Sequence, residues 1–275
     1  MRVRSSVVPL ALASAICAAT GAVPFAQQAA DTITVEFSDP ARPGTVSVAM
    51  HSGGIVVKGG NRRDVAVTSR GEDAARRRPA EPPSGLRRLQ QSAGLVITEE
   101  NNQVEVSGTM MNRQVDVELQ VPTRVNLNLV AHTNGDIVVE NADGDIEVTN
   151  HNGAIRLTNV AGSVVANTHN GDVKVNLTRI ATEKAMAFTS FNGDVDVTLP
   201  ANAKANLKLR SDRGEIFTDF DVQVRPATPA QTRKSPRGGV VIEVNQAIYG
   251  AINGGGPEFD LRTFNGDIFV RRAGQ

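Results

Sequence analysis

The sequence predicts an all-β protein whose short strands, two to a coil, stack as a parallel β-solenoid or β-helix with Asn-Gly turns. Three observations predict it: apolar residues alternate with polar ones along the chain, turn glycines recur every nine residues, and segments 18 residues apart are more alike than neighbours at nine.

Alternation begins at Thr32. Thr32-Ile33-Thr34-Val35-Glu36-Phe37, Thr45-Val46-Ser47-Val48, Val65-Ala66-Val67 and Val104-Glu105-Val106 place apolar side chains at every second position. Gln114 to Val121 and Arg124 to Leu129 continue the pattern. A period of two is the mark of strands with one face buried and one exposed. Only Ala181 to Ala187 offers a mild helical candidate.

Repetition follows. Asn134-Gly135-Asp136-Ile137, Asp143-Gly144-Asp145-Ile146, Asn152-Gly153-Ala154-Ile155, Ala161-Gly162-Ser163-Val164 and Asn170-Gly171-Asp172-Val173 carry glycines at nine-residue intervals. Asn192-Gly193-Asp194, Arg213-Gly214-Glu215 and Asn265-Gly266-Asp267 extend the pattern at wider spacing. Nine residues suffice for a strand and a tight turn, in which glycine accepts a positive φ without a Cβ clash. An antiparallel meander could use the same unit. The match of Thr149-Asn150-His151-Asn152-Gly153 to Asn167-Thr168-His169-Asn170-Gly171 favours two strands per coil, each stacked on its equivalent in the next. A longer repeat runs from Val115 through Pro122 to Gly135, and again from Val195 through Pro200 to Gly214. Each proline ends a strand because it lacks the ladder N–H.

Two stretches interrupt this order. Arg70–Gln91 and Arg225–Gly239 are rich in proline and basic side chains, and read as surface loops. Basic arms for an acidic partner are the functional alternative to solvated insertions. At the N-terminus, Arg2 and Arg4 precede an apolar, Ala-rich stretch, an export signal over residues 1–26 with cleavage expected after Ala22 or near Ala26. Residues 27–275 then form one domain. Cys17, the only cysteine, follows Ile16, which does not suit lipoprotein processing. No transmembrane segment is expected in the mature chain.

Composition counts against some classes. With 29 basic and 29 acidic side chains, nothing draws the chain as a whole to nucleic acid. Without Trp and with one Tyr, it lacks the usual aromatic platforms of a sugar groove.

The recurrent Asn-Gly-Asp-Ile-x-Val, the second Gly-x-Val half-repeat and the Leu/Val-Pro lead-in resemble the DUF4097-type adhesin family of β-strand repeat proteins, over about Val115 to Val270. That resemblance implies a right-handed solenoid, exported or envelope-associated. Members carry the adhesin label largely by inference, some occur beside envelope-stress signalling modules, and the family has no established catalytic residues.

Two columns are candidate metal sites. Asp136, Asp172 and Asp194 follow turn glycines, as do Asp145, Glu215 and Asp267. Calcium-binding β-rolls use additional glycines and place the acid two residues beyond the last, so turn capping is the expected role here. His151 and His169 share a slot two residues before the glycine, where Phe191 and Phe264 also stand, and a packing column of rings is expected. Two imidazoles fall short of the three or four ligands of a transition-metal site. No catalytic residues, no cofactor and no bound metal are expected. The expected role is adhesion, surface binding or envelope scaffolding toward an unidentified envelope or cell-surface component. Envelope-stress sensing and a polysaccharide-active β-helix enzyme are the alternatives.

Overall fold

The computed structural model describes residues 32–71, 94–108, 114–225, 231–234, 240–243 and 247–274. The signal segment and most of the two interrupting stretches lie outside the described residues. No helix occurs among the described residues, so none is long and apolar enough to cross a membrane.

The N-terminal strands are β1 (Thr32–Glu36), β2 (Gly44–Ser52), β3 (Ile55–Gly60), β4 (Asp64–Gly71), β5 (Leu95–Glu100), β6 (Gln103–Gly108) and β7 (Val115–Pro122). The regular repeats supply β8 (Val125–Thr133), β9 (Ile137–Glu140), β10 (Asp143–Asn152), β11 (Ile155–Asn170), β12 (Val173–Ile180), β13 (Met186–Asn192) and β14 (Val195–Leu199). Then come β15 (Ala205–Ser211), β16 (Ile216–Thr218), β17 (Gln223–Val224), β18 (Gln231–Lys234), β19 (Val240–Glu243), β20 (Ile248–Ile252), β21 (Glu258–Asn265) and β22 (Ile268–Arg272). β18, within the second interrupting stretch, pairs antiparallel with β19, just after it.

The other 20 strands form one sheet. Its parallel pairings run in two columns. One column is β6, β2, β8, β10, the second half of β11, β13, β21 and β15. The other is β7, β3, β9, the first half of β11, β12, β14, β22 and β16. Asp143 pairs with Ala161 and Ile155 with Val173, which is the 18-residue step read from the sequence. A meander, whose neighbours are antiparallel, is thereby excluded for the repeat region.

Alternation sends the apolar side chains of both columns into one core. Ile137, Ile155, Val173, Val195 and Ile268 succeed one another from coil to coil with 0% exposure. Burying each such side chain contributes about 1.5–3 kcal/mol, so the ladder of identical positions is a principal source of stability.

Coil order in space is not chain order. The coil of β2 and β3 lies between that of β6–β7 and that of β8–β9. At the other end, β21–β22 lies between β13–β14 and β15–β16. Pro122 and Pro200 therefore mark the two points where the chain steps over a coil supplied by the opposite direction of the sequence. Antiparallel strands close the ends: β5 on β6, β4 on β7 with β1 outside it, and β20 on β15. In the N-terminal cap Arg42 Nε donates to Asp39 at 2.7 Å and the Ser38 hydroxyl donates to Glu99 at 2.5 Å. Those bonds hold both carboxyls below the usual carboxylate range.

Ala181–Ala187 is not helical; residues 181–185 link β12 to β13, and Met186 and Ala187 begin β13. Asn170 pairs with Asn192, so this coil holds 22 residues where its neighbours hold 18. The surplus is too short for a stable helix and bulges as a corner.

Candidate functional site

The turn between the columns aligns four successive side chains of each coil into four rows. The first row is buried: Asn150, Thr168, Ser190 and Thr263 are each no more than 2% exposed. Each donates to the carbonyl of a turn glycine one coil earlier. Asn150 Nδ2 reaches Gly135 O at 2.9 Å, Thr168 Oγ1 reaches Gly153 O at 2.9 Å, and Ser190 Oγ reaches Gly171 O at 2.8 Å. Thr263 Oγ1 reaches Gly193 O at 2.8 Å. A buried carbonyl left unpaired is costly, which explains polar residues at an otherwise apolar position.

The second row points outward and holds the rings. His151 and His169 stack with centroids 5.1 Å apart and planes at 7°. Phe191 stacks on His169 at 4.8 Å, and Phe264 on Phe191 at 4.8 Å. The Arg213 guanidinium lies 4.9 Å from the Phe264 centroid and ends the stack. In the other direction the row continues to His132 and His51, whose rings are tilted at 43° and 6.1 Å apart. The register of Met50 with Ala131, and of Asn150 with Ala131, brings both into line with His151. All four histidines of the chain therefore stand in one row. The sequence reading found two of them. His132 lies three residues before its glycine instead of two, whereas His51 keeps the slot, two residues before Gly53, and was legible by the same spacing although its coil lies outside the nine-residue run.

The third row is an asparagine ladder. Asn170 Nδ2 donates to Asn152 Oδ1 at 2.6 Å, Asn192 to Asn170 at 2.7 Å, and Asn265 to Asn192 at 2.7 Å. The fourth row carries the acids. Asp136 Oδ1 accepts the Ala154 N–H at 2.8 Å, Asp172 accepts from Asp194 at 3.0 Å, and Asp194 accepts from Asp267 at 2.8 Å. Asp136 also pairs with Arg156. One oxygen of each of these three carboxylates is thus committed to the next turn.

Metal ligation fits neither row well. His151 and His169 stack face to face with nearly parallel planes, an arrangement of ring packing instead of two imidazole edges converging on one ion. Among the described residues no group of three or more His, Cys, Asp or Glu is placed to hold a metal ion. If both stacked imidazoles carried charge at 5.1 Å, they would repel by about 0.8 kcal/mol in bulk water and about 3 kcal/mol at an effective dielectric of 20.

Beside the ring row runs an open groove of about 530 Å³, bounded by His132, His151, His169, Phe191, Phe264 and Arg262, with Thr149, Asn167 and Thr189 along its floor. Among the described residues no Asp or Glu lines it. It lies on the outer face of the first column, where strand alternation exposes every second side chain.

The Toastrack DUF4097 family model matches residues 128–271, more than half of the chain. Two solved structures are similar. One is a candidate cell adhesion protein from Clostridium sporogenes ATCC 15579, at 8% identity over 89% of this chain and 100% of that one, with a TM-score of 0.41. The other is a candidate adhesin from Bacteroides fragilis NCTC 9343, at 11% identity over 89% and 97%, with a TM-score of 0.36. No curated protein matches the chain. With its repeats in register along the matched span, the chain belongs to the Toastrack DUF4097 family.

Proposed function

We propose that the protein is a non-catalytic binding module, exported and acting in the cell envelope or at its surface, in adhesion or scaffolding. Its contact face is the outer ring row and the groove beside it. The carrier is a right-handed parallel solenoid, a hand supported by the preference of about 98% of parallel crossovers. The observation that carries the reading is the convergence of four histidines and two phenylalanines on one exposed row. Core packing does not require them there, since their strands already bury the alternate face. A polysaccharide-active enzyme would need charged and aromatic residues clustered away from the repeat register. These rings follow the register, and the nearby acids of Asp136, Asp172 and Asp194 are engaged with backbone.

The test is sedimentation of the purified protein with isolated envelopes. Wild type should co-sediment, and the variant His169→Ser/Phe191→Ser/Phe264→Ser should lose roughly tenfold in affinity while remaining folded. No co-sedimentation by wild type, or equal binding by the variant, overturns the proposal.

A further inference from the structure

The groove has a charge character that the chain as a whole lacks. Acidic and basic side chains are equal in number overall, yet among the described residues the groove is lined by three histidines and Arg262 and by no carboxylate. Arg262 is exposed and has no carboxylate partner among the described residues. The cations beyond it are engaged: Lys208 with Asp260, Arg210 with Asp212, and Arg213 with Phe264.

Charges facing the histidines from the surrounding strands are few. β2, β8 and β13 contribute none on this face alongside the ring row. Glu147 of β10 and Asp260 of β21 are each four residues along their strands from the row. At about 3.3 Å per residue that is about 13 Å, beyond the screening length of about 8 Å at physiological salt. Asp145 lies farther along β10 and is paired with Lys184; Glu258 begins β21. Across the turn Asp136, Asp172, Asp194 and Asp267 belong to the backbone-capping row and do not line the groove.

Resting on the binding reading above, we propose that the groove takes an extended acidic polysaccharide, a linear chain of uronic-acid sugars lying along the coil axis. Polar rows of Thr149, Asn167 and Thr189 recur once per coil, at a step of about 4.8 Å, close to the length of one linked pyranose ring. They offer hydroxyl and amide partners to sugar hydroxyls, while Arg262 and the imidazole edges meet the carboxylates, so a charged sugar is held by hydrogen bonds and charge and needs none of the open aromatic platforms that the chain lacks. Nucleic acid suits the face poorly, because bases need open ring faces to stack on. Here the faces of His169 and Phe191 are spent on each other, and only edges point outward. An extended peptide would bring backbone N–H and C=O groups, which this groove, on a strand face and away from a sheet edge, has no ladder to pair.

Charging the row sets imidazolium against imidazolium, and a bound anion relieves that repulsion. Proton uptake and ligand binding therefore favour each other, by reciprocal linkage. Histidine changes charge between about pH 5 and 8, so affinity should rise as the medium becomes acidic.

The experiment is calorimetric titration of the full chain with octagalacturonate and with its methyl ester, at about pH 5.5 and about pH 7.5, either side of the ordinary histidine pKa. The acidic oligomer should bind at the lower pH and weaken roughly tenfold at the higher, while the neutral ester binds at least roughly tenfold more weakly than the acid. Arg262→Gln should weaken binding roughly fivefold or more at both pH values, with Arg262→Lys restoring part of it. His151→Gln/His169→Gln should reduce the pH dependence to roughly threefold or less. Equal binding of the ester, absence of binding at the lower pH, or a pH dependence untouched in the histidine variant overturns the proposal. Envelope binding by wild type alongside failure with octagalacturonate would overturn this ligand and leave the binding module standing.

Discussion

At the turn, Gly171 and His169 are two residues apart and do different work. Gly171 has φ +143°, and a Cβ there would meet Gly153 O at 2.4 Å and Gly153 C at 2.5 Å. Both the backbone angle and the adjoining coil forbid a side chain. Replacement with valine incurs conformational strain of about 1–3 kcal/mol and a clash with backbone that cannot rotate away. His169 is exposed, and its removal loses ring contacts of about 0.5–1.5 kcal/mol each. Gly171→Val should therefore lower the urea midpoint clearly more than His169→Ala, with or without added divalent metal. The reverse order would show that the ring row carries the stability assigned here to the glycine ladder. Not every turn uses its glycine in this way. At the Asn134-Gly135 turn the positive φ falls on Asn134, at 54°, and before Gly144 it falls on Asn141, at 57°.

On adjacent strands, threonines one register step apart separate the inward from the outward face. Thr168 of β11 is 2% exposed and donates to Gly153 O, whereas Thr149 of β10 is exposed on the groove side. Thr168→Val keeps the shape and leaves a buried carbonyl without its donor, which should cost about 1–3 kcal/mol. Thr149→Val should change stability by less than about 0.5 kcal/mol. Equilibrium denaturation of the two variants measures the contrast, and equal effects would mean the buried hydroxyl row is dispensable. Alternation made most strands legible one by one. The 16-residue β11 was not, because it crosses from one column to the other and reads in sequence as two strands with a glycine turn at Gly162.

For the molecule as a whole, position in the stack and position in the chain part company. β22 lies near the C-terminal end of the sequence yet pairs on both sides, with β14 and β16. β16 lies earlier in the sequence and, among the described residues, pairs only with β22. Amide exchange tracks the opening of hydrogen bonds, and edge strands open first. Phe269, which faces β14 because Val195 N–H donates to Asp267 O two residues earlier, should accordingly exchange at least roughly tenfold more slowly than Phe217, although it is six residues from the end of the chain. Mass-spectrometric exchange on the intact protein tests this order, and faster exchange in β22 would argue against the inserted coil.

Local chemistry is what the sequence by itself determined. Period-two alternation specifies which side chains face the core, Asn-Gly pairs specify where the chain turns, and an 18-residue likeness specifies what stacks on what over Gly135–Leu177. These are short-range or strictly periodic signals, and the family follows from them. Tertiary structure alone decided the rest. Nothing in the spacing of β2–β3 or β21–β22 announces that each inserts between coils distant in sequence, because backbone ladders accept any strand of matching length and burial pattern. That insertion brings His51 and Phe264 to opposite ends of the row holding His132, His151 and His169, and with Phe264 it brings Arg262 to the groove. The candidate site therefore depends on long-range pairing, whose energy is shared by many interchangeable Val and Ile positions and leaves no local mark in the sequence.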